Sequence, residues 1–552
     1  MIARLRRLVV RPSGEALAIY AVAVAVYAVG LWWGAPAGVR GHALVWGTDE
    51  IGPVGAVNEV YGVLLARHPY FNPQYPLFHY LVQLVLVAPV YALFYVTGLL
   101  GTPDPNFPYG FTRPDVALPV LTIAARLPSL LMAAGVVVAA WKTGTVLRDV
   151  RLGRWAALTV GLLYPMAYYA RTSNVDMGAL FWLACGLLVF ARCLRGETTR
   201  GRLLALAIFA ALSAGSKDAS YAAFLPLGLL AAWWHVRDAR AAGASWGTAL
   251  GGPAIALVSA AALYAVASGL VLRPSRFVLH FQYVTHGSGN PHFYNRYPWT
   301  ADGHLAFARE LGWQFVDTFG APLLAVALAG SVQWLHRDRR LAVWLIPAVT
   351  VIAFVILPVR FALLRFLLPV GYVLAFPAAD LLARAWHAGA GAARLTLRAA
   401  TIAILAVAAA RTADLTWQML HDSRDLATAW LASTMRPGDT LGHVDGPDQR
   451  PRVPAGATLK FVKREALASG AERPEWFVSM PLEDYEHAHE DGLADDDFAA
   501  LMDGRLGYRL AATIQTPPWF DRRPATFVNP PIRIFAREDV WRERLAAASA
   551  TR

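Results

Sequence analysis

Apolar runs that approach the thickness of a bilayer recur along this chain from residue 16 to residue 413, separated by short polar stretches. A helix needs about 20 predominantly apolar residues to cross. The pattern therefore predicts spans at roughly 16–34, 118–140, 155–170, 177–194, 203–216, 219–235, 249–272, 313–335, 341–358, 361–383 and 396–413. One further run, "PLFHYLVQLVLVAPVYALFYVTGLL" at 76–100, is apolar enough to join them. Beyond residue 413 the pattern changes to a polar, Pro-rich tail with short alternating runs. "EWFVSM", "RLAATI" and "IRIFAR" predict strands, and "LADDDFAALM" predicts an acid-rich helix start, with Asp495 to Asp497 as cap and solvated end. The expected architecture is a polytopic α-helical membrane protein of about 11 spans over residues 1–413, followed by a small α/β domain over 414–552.

Charge decides the topology. Basic clusters occur at Lys142 to Arg154, Arg195 to Arg202, Arg237 to Arg240, Arg337 to Arg340 and Arg384 to Arg398. Cytoplasmic loops carry such excesses, so these clusters and the N-terminus belong inside. They alternate consistently with the spans only if 76–100 does not cross. That run is expected as a juxtamembrane or re-entrant helix in a first external loop over 34–117, with Pro89 as a tolerated kink. Residues 203–235 read as two short helices with "SKD" at the turn between them. The start, "MIARLRRLVVRPSGEALAIY", is expected as a basic leader to a retained first helix.

Composition agrees: 552 residues, 56% hydrophobic, 16% charged, mean hydropathy +0.40. The net charge of +12 sits mostly in loops between apolar runs, which is membrane anchoring and excludes a nucleic-acid partner. Cys185 and Cys193 fall eight residues apart in one helix, roughly 12 Å, too far to pair.

The external face then gathers charged residues from distant parts of the chain. Asp49 and Glu50 follow the first helix; Arg171 and Asp176 flank "RTSNVD"; Lys217 marks the "SKD" turn; Arg365 sits in "PVRFALLRF". Carboxylates can take a hydroxyl proton or hold a cation, and arginine and lysine can hold a phosphate. Each has a plainer reading beside it. Asp49 and Glu50 suit a surface-helix start, Arg171 a snorkelling side chain, Asp176 a cap, and Lys217 a hairpin tip. His79 suits local packing, and "THGSGNPHFYNRYPW" suits either headgroup or carbohydrate contact or a simple interfacial loop.

Six motifs in order resemble the polytopic GT-C glycosyltransferases that use polyprenyl-phosphate sugars, the protein O-mannosyltransferase and lipid A aminoarabinose transferase type. They are "TDE", "HPYFNPQYPLFHYL", "AARLPSLLMAAGVVVAA", "YYARTSNVDMGALFW", "GSKDASY" and "LLRFLLPV", covering about residues 16–383. By that resemblance Asp49 matches the catalytic aspartate, Glu50 its neighbour and Asp176 the second external aspartate; Glu50, Asp176 and His79 are the residues expected to position the acceptor. The resemblance also implies Lys217, Arg171, Arg126 and Arg365 as contacts to the donor phosphate. Gln74 and Tyr75 stand where the aminoarabinose transferases carry a Glu-Lys pair, so neither that specificity nor a bound metal carries over. A divalent ion is admitted but not required, with Glu50 and Asp176 as candidate ligands.

The expected function is inverting sugar transfer from a polyprenyl-phosphate carrier to an acceptor hydroxyl on a lipid, glycan or protein. It would occur at the outer face of a bacterial inner membrane, with the C-terminal domain on the same side. The alternative is a transporter or flippase of lipid-linked saccharides, whose charges would line a path through the bilayer.

Overall fold

The computed structural model describes residues 13–39, 44–65, 72, 74–104, 106–285, 297–444, 450–480, 495–522, 524–525 and 527–545. Residues 286–296, most of the stretch "THGSGNPHFYNRYPW", lie outside these, as does most of "HPYFN". The chain forms two compact units. The first takes in residues 1–31, 54–89 and 124–412; the second takes in 32–53, 90–123 and 413–552. Two segments of the expected first external loop thus cluster with the tail.

Among the described residues, eight helices are long and apolar enough to cross a membrane. They are Phe78–Val96, Pro114–Leu147, Val175–Leu194, Asp218–Ala241, Trp246–Ala267, Arg339–Val359, Leu364–His387 and Gly391–Thr434. Seven coincide with expected spans. The eighth, Phe78–Val96, is the run that charge alternation keeps out of the bilayer; its length and composition alone would let it cross. Two further expected spans are shorter helices, Gly14–Ala28 and Arg200–Ser216, at 15 and 17 residues.

Elsewhere the local chemistry breaks a run that hydropathy reads as continuous. Over 313–335 the chain forms Ala301–Phe319 and Ala321–Arg337, bent by 101°. Gly320 between them has φ +76°, a left-handed conformation that glycine adopts without a Cβ clash, and Pro322 starts the second helix. Over 155–170 the helix Val150–Gly161 stops and Tyr164–Tyr169 begins anew. Pro165 cannot donate to the carbonyl of Gly161. That carbonyl instead accepts the Tyr27 hydroxyl at 2.9 Å, so the break is satisfied by the first helix.

Within the first unit, small residues let helices approach closely, as expected where lipid supplies no hydrophobic drive between them. A Cβ on Gly330 would lie 2.2 Å from the Pro377 carbonyl, and one on Gly215 2.6 Å from the Ala267 Cβ. Arg200–Ser216 packs on both Val175–Leu194 and Trp246–Ala267, which fixes where its C-terminal end lies. The segment 352–356 is a π-helical turn, a wider coil that shifts the following residues in register.

The second unit carries a mixed five-stranded sheet of order β2-β1-β3-β5-β4. Its strands are β1 Thr440–His443, β2 Thr458–Phe461, β3 Trp476–Ser479, β4 Tyr508–Ile514 and β5 Ile532–Arg537. β1 runs parallel to β2 and β3; β5 runs antiparallel to β3 and β4. The three strands expected from alternation are β3, β4 and β5. β1 and β2 are only four residues each and too polar to stand out. β3 is buried throughout, with Leu431, Leu441, Ile532 and Ile534 packed in the same core. The acid-rich start is the helix Asp495–Met502.

Asp439 ties this domain's end to its beginning. Burial alone would raise its carboxyl, but Arg544 (2.5 and 3.1 Å), the Arg436 amide (2.8 Å) and the Trp476 indole (3.0 Å) hold it below the usual carboxylate range. A carboxylate depressed on folding stabilises above its unfolded pKa, and loses that contribution as pH falls through the folded value. Asp439→Asn should cost the domain about 3 kcal/mol at neutral pH by leaving Arg544 buried and unpaired. Thermal unfolding of the full chain, followed by tryptophan fluorescence, should show that gap closing below pH 4 or so.

Candidate functional site

Arg200–Ser216 ends where Lys217 leaves helical geometry, at φ −154° and ψ 117°, before the single turn Asp218–Ser220 and the helix Tyr221–Ala241. This is the pair of short helices with a charged turn that the sequence predicts. The turn brings the Lys217 ammonium onto the carboxylate of Asp176, in the first turn of Val175–Leu194. Both are largely removed from solvent, Asp176 at 2% and Lys217 at 15% side-chain exposure, so the contact offsets the cost of burying either group alone. The second Asp176 oxygen, Oδ2, is buried with no hydrogen-bond partner among the described residues.

Arg365 enters the same place from another direction. It sits in the short turn Leu364–Leu367 that follows the left-handed Arg360 and precedes the helix Leu368–His387. Its guanidinium carbon lies 5.6 Å from the centre of the Phe366 ring, and the Lys217 ammonium lies 5.1 Å from that ring. Two cations share one aromatic ring. Arg365 also donates to the Tyr75 hydroxyl at 3.3 Å, and Gln74 donates to it at 3.2 Å.

Asp176, Lys217 and Arg365 line one cleft. Its other walls include Leu180, Leu183, Val351, Val355 and Phe366, so the charges sit against an apolar surface. Such a lining suits a ligand with an anionic head and an apolar body. Val351 and Val355 come from the π-helical turn and its preceding residue, which no hydropathy pattern reveals.

The remaining expected site residues fall elsewhere. Arg171 is buried and donates to the carbonyls of Val26 (3.2 Å), Val29 (2.6 Å) and Ala167 (2.6 Å). It caps the C-terminal end of Gly14–Ala28, whose last carbonyls lack helical partners. Arg126, fully buried, donates to the Leu31 carbonyl at 2.8 Å, just beyond that helix. Both guanidiniums thus have a backbone-holding job that accounts for their burial. His79 is fully buried; neither ring nitrogen has a hydrogen-bond partner among the described residues. It packs on Val175–Leu194 at Gly178, where a Cβ would come within 2.4 Å of Nδ1. This burial suits packing better than contact with an acceptor.

Asp49 and Glu50 belong to the second unit, half-exposed, on a turn. Asp49 has φ +58°, a conformation that aspartate tolerates better than most residues. The Glu50 carboxylate lies over Gly47, where any Cβ would meet Oε1 at 1.9 Å. Just before them, Trp46 lies under the Arg424 guanidinium at 4.2 Å. Arg424 in turn is bidentate to the buried Asp422 (2.8 Å), which also accepts the Trp33 indole and the Asn529 amide at 2.9 Å each. Sequence reasoning missed Asp422 and Arg424, as well as Glu59, Arg276 and His280, and it placed Asp218 at the turn without its partners. Each sits in or beside an apolar or helical run, and only the fold shows its partner. Among the described residues, no group of three or more His, Cys, Asp or Glu side chains gathers at metal-holding distance.

No family model matches this chain, and no curated protein sequence matches it. Solved structures do. ArnT from Cupriavidus metallidurans bound to undecaprenyl phosphate is 14% identical, with TM-score 0.45, covering 95% of this chain and 98% of that one. The apo state of the same protein is 15% identical, with TM-score 0.43 and the same coverage. The Archaeoglobus fulgidus oligosaccharyltransferase, in complex with zinc and sulfate, is 13% identical with TM-score 0.40. That match covers 86% of this chain and 70% of the other. Residue roles in this chain rest on its own geometry and motifs.

The contact between His79 and Gly178 gives a direct check on the packing beside Asp176. Gly178→Ala should destabilise the protein by roughly 1–3 kcal/mol, because the buried imidazole has to move to admit the methyl group. Thermal unfolding in detergent reads it; an unchanged midpoint would show that His79 is loosely held.

Proposed function

We propose that this protein is a membrane glycosyltransferase that takes a sugar from a polyprenyl-phosphate carrier and passes it to a hydroxyl. The observation that carries this reading is the cleft in which Lys217 and Arg365 flank Phe366 above apolar walls. A phosphate ester on a long hydrocarbon is the amphiphile that such a lining suits. The expected sidedness, at the outer face of a bacterial inner membrane with Phe78–Val96 lying along it, remains the charge-based part of the proposal.

In the proposed reaction the acceptor oxygen attacks the anomeric carbon, and the bond from that carbon to the phosphate oxygen breaks. Configuration inverts because attack and departure are on opposite faces. The hydroxyl proton goes to Asp49, and the polyprenyl phosphate leaves as an anion held by Lys217 and Arg365. A phosphate ester is already a weak base, so its departure calls for charge stabilisation rather than a general acid. The role of Asp49 rests on its sequence position and on the resemblance of its motif. Asp176 holds the Lys217 ammonium in place, and its second oxygen is able to accept a hydrogen bond from a hydroxyl of the sugar or acceptor.

Two substitutions test this with a radiolabelled polyprenyl-phosphate sugar in membranes. Lys217→Ala should raise the donor KM by about tenfold or more, the loss of one charge-assisted contact. Asp49→Asn should abolish turnover while the protein stays inserted and folded. Label moving between leaflets on the intact carrier, never onto an acceptor, would mark a flippase and refute the reading.

A further inference from the structure

The helix Pro274–Thr285 buries only two of its twelve residues, Arg276 and His280. They are one turn apart on one face. The rest of the helix offers Val278, Leu279, Phe281 and Val284 outward, at 46–57% exposure. An amphipathic helix ordinarily turns its apolar stripe inward. This one does the reverse, and each buried side chain contacts a carboxylate.

Both contacts lead to the cleft. Arg276 pairs with Glu59 at 2.5 Å and donates to the Tyr75 carbonyl at 2.9 Å; Glu59 accepts the Asn72 amide at 2.9 Å. The chain segment so gripped carries the Tyr75 hydroxyl, which accepts from Arg365. His280 Nε2 lies 2.9 Å from Asp218 Oδ2, and the Tyr264 hydroxyl donates to Asp218 Oδ1 at 3.1 Å. Asp218 is the residue after Lys217, so its two partners fix the turn that presents the ammonium. One helix therefore touches the supports of both cleft cations. A buried pair such as Arg276–Glu59 is a poor way to gain stability, since the desolvation of both charges offsets their attraction. Its value lies in direction.

We infer that Pro274–Thr285 is a polar clasp whose two buried side chains position the cleft cations, Arg276 acting through Tyr75 on Arg365 and His280 acting through Asp218 on Lys217. Arg276, His280, Glu59, Asp218 and Tyr75 are positioning residues, not catalytic ones. The kinetic part of this inference rests on the reading of the cleft as the donor-phosphate site; the mechanical part does not.

Hydrogen–deuterium exchange of the full chain in detergent tests the mechanical part. Arg276→Met should speed exchange around residues 74–77 and 364–368, and His280→Phe around 217–221, with the distant sheet unchanged. Equal protection in variant and wild type at those segments would overturn the clasp. Tyr75→Phe, which removes one oxygen from an otherwise intact packing unit, covers the case in which Arg276→Met fails to fold; it should loosen 364–368 alone. Kinetics tests the link to the donor. Arg276→Met should raise the donor KM by about tenfold with kcat within about twofold, and should add little on top of Arg365→Ala, as expected for residues acting in series. Full additivity would show that Arg276 acts by another route and would overturn the clasp's link to Arg365. If Lys217→Ala and Arg365→Ala leave the donor KM unchanged, the reading of the cleft fails instead, and the exchange data alone judge the clasp.

Discussion

A charged side chain withdrawn from water inside an apolar helix bundle stays charged only beside a counter-charge, and the Lys217–Asp176 pair meets that condition. The rest of the first unit follows from it. The ammonium has to stop short of solvent, so Arg200–Ser216 ends one residue earlier and the next helix begins after a single tight turn. The carboxylate has to be at the start of Val175–Leu194, where the helix end also favours negative charge. With those two fixed, Lys217 and Arg365 both lie close to the Phe366 ring, and a cleft with cationic and apolar walls results.

The same rule recurs at two other buried aspartates. Asp380 is shared by Arg148, Arg384 and the Trp334 indole, locking three helices of the first unit. Asp422 is shared by Arg424, Trp33 and Asn529 in the second unit, where it anchors the turn that bears Asp49 and Glu50. In both places an aspartate accepts from an arginine and an indole at once. Arg126 and Arg171 are treated differently: both donate to carbonyls at the end of the first helix, where the backbone itself supplies the negative partner.

Much of the bundle was legible from hydropathy, because lipid demands long apolar runs and short loops. The helical hairpin around Lys217 was legible too, since a lysine and an aspartate in mid-run are costly to leave in lipid and so mark a turn. Hydropathy could not see the bend at Gly320 or the restart at Pro165, where one residue's backbone chemistry overrides its neighbours. Nor could it rank the arginines. Arg171, Arg126 and Arg365 look alike in sequence, yet two hold backbone carbonyls at or just beyond the end of the first helix and one lines a cleft, and the difference lies in which carbonyls are within reach. Arg276 and His280 were invisible for a related reason: nothing in the hydropathy or charge pattern marks them, and only the fold turns them inward. In the second unit, β3 to β5 stood out as strand-like runs, while β1 and β2, which carry Gly442, His443 and Lys460 among their four residues each, did not.

The claim on which the account turns is that Lys217 and Arg365 hold one phosphate between them. A cryo-EM map of the protein with undecaprenyl phosphate measures this most directly. The account predicts phosphate density within hydrogen-bond distance of Lys217 Nζ and of the Arg365 guanidinium, with the hydrocarbon along Leu180, Leu183 and Val355. Density for the lipid phosphate at any other place, with the Lys217–Asp176 cleft empty, would contradict it.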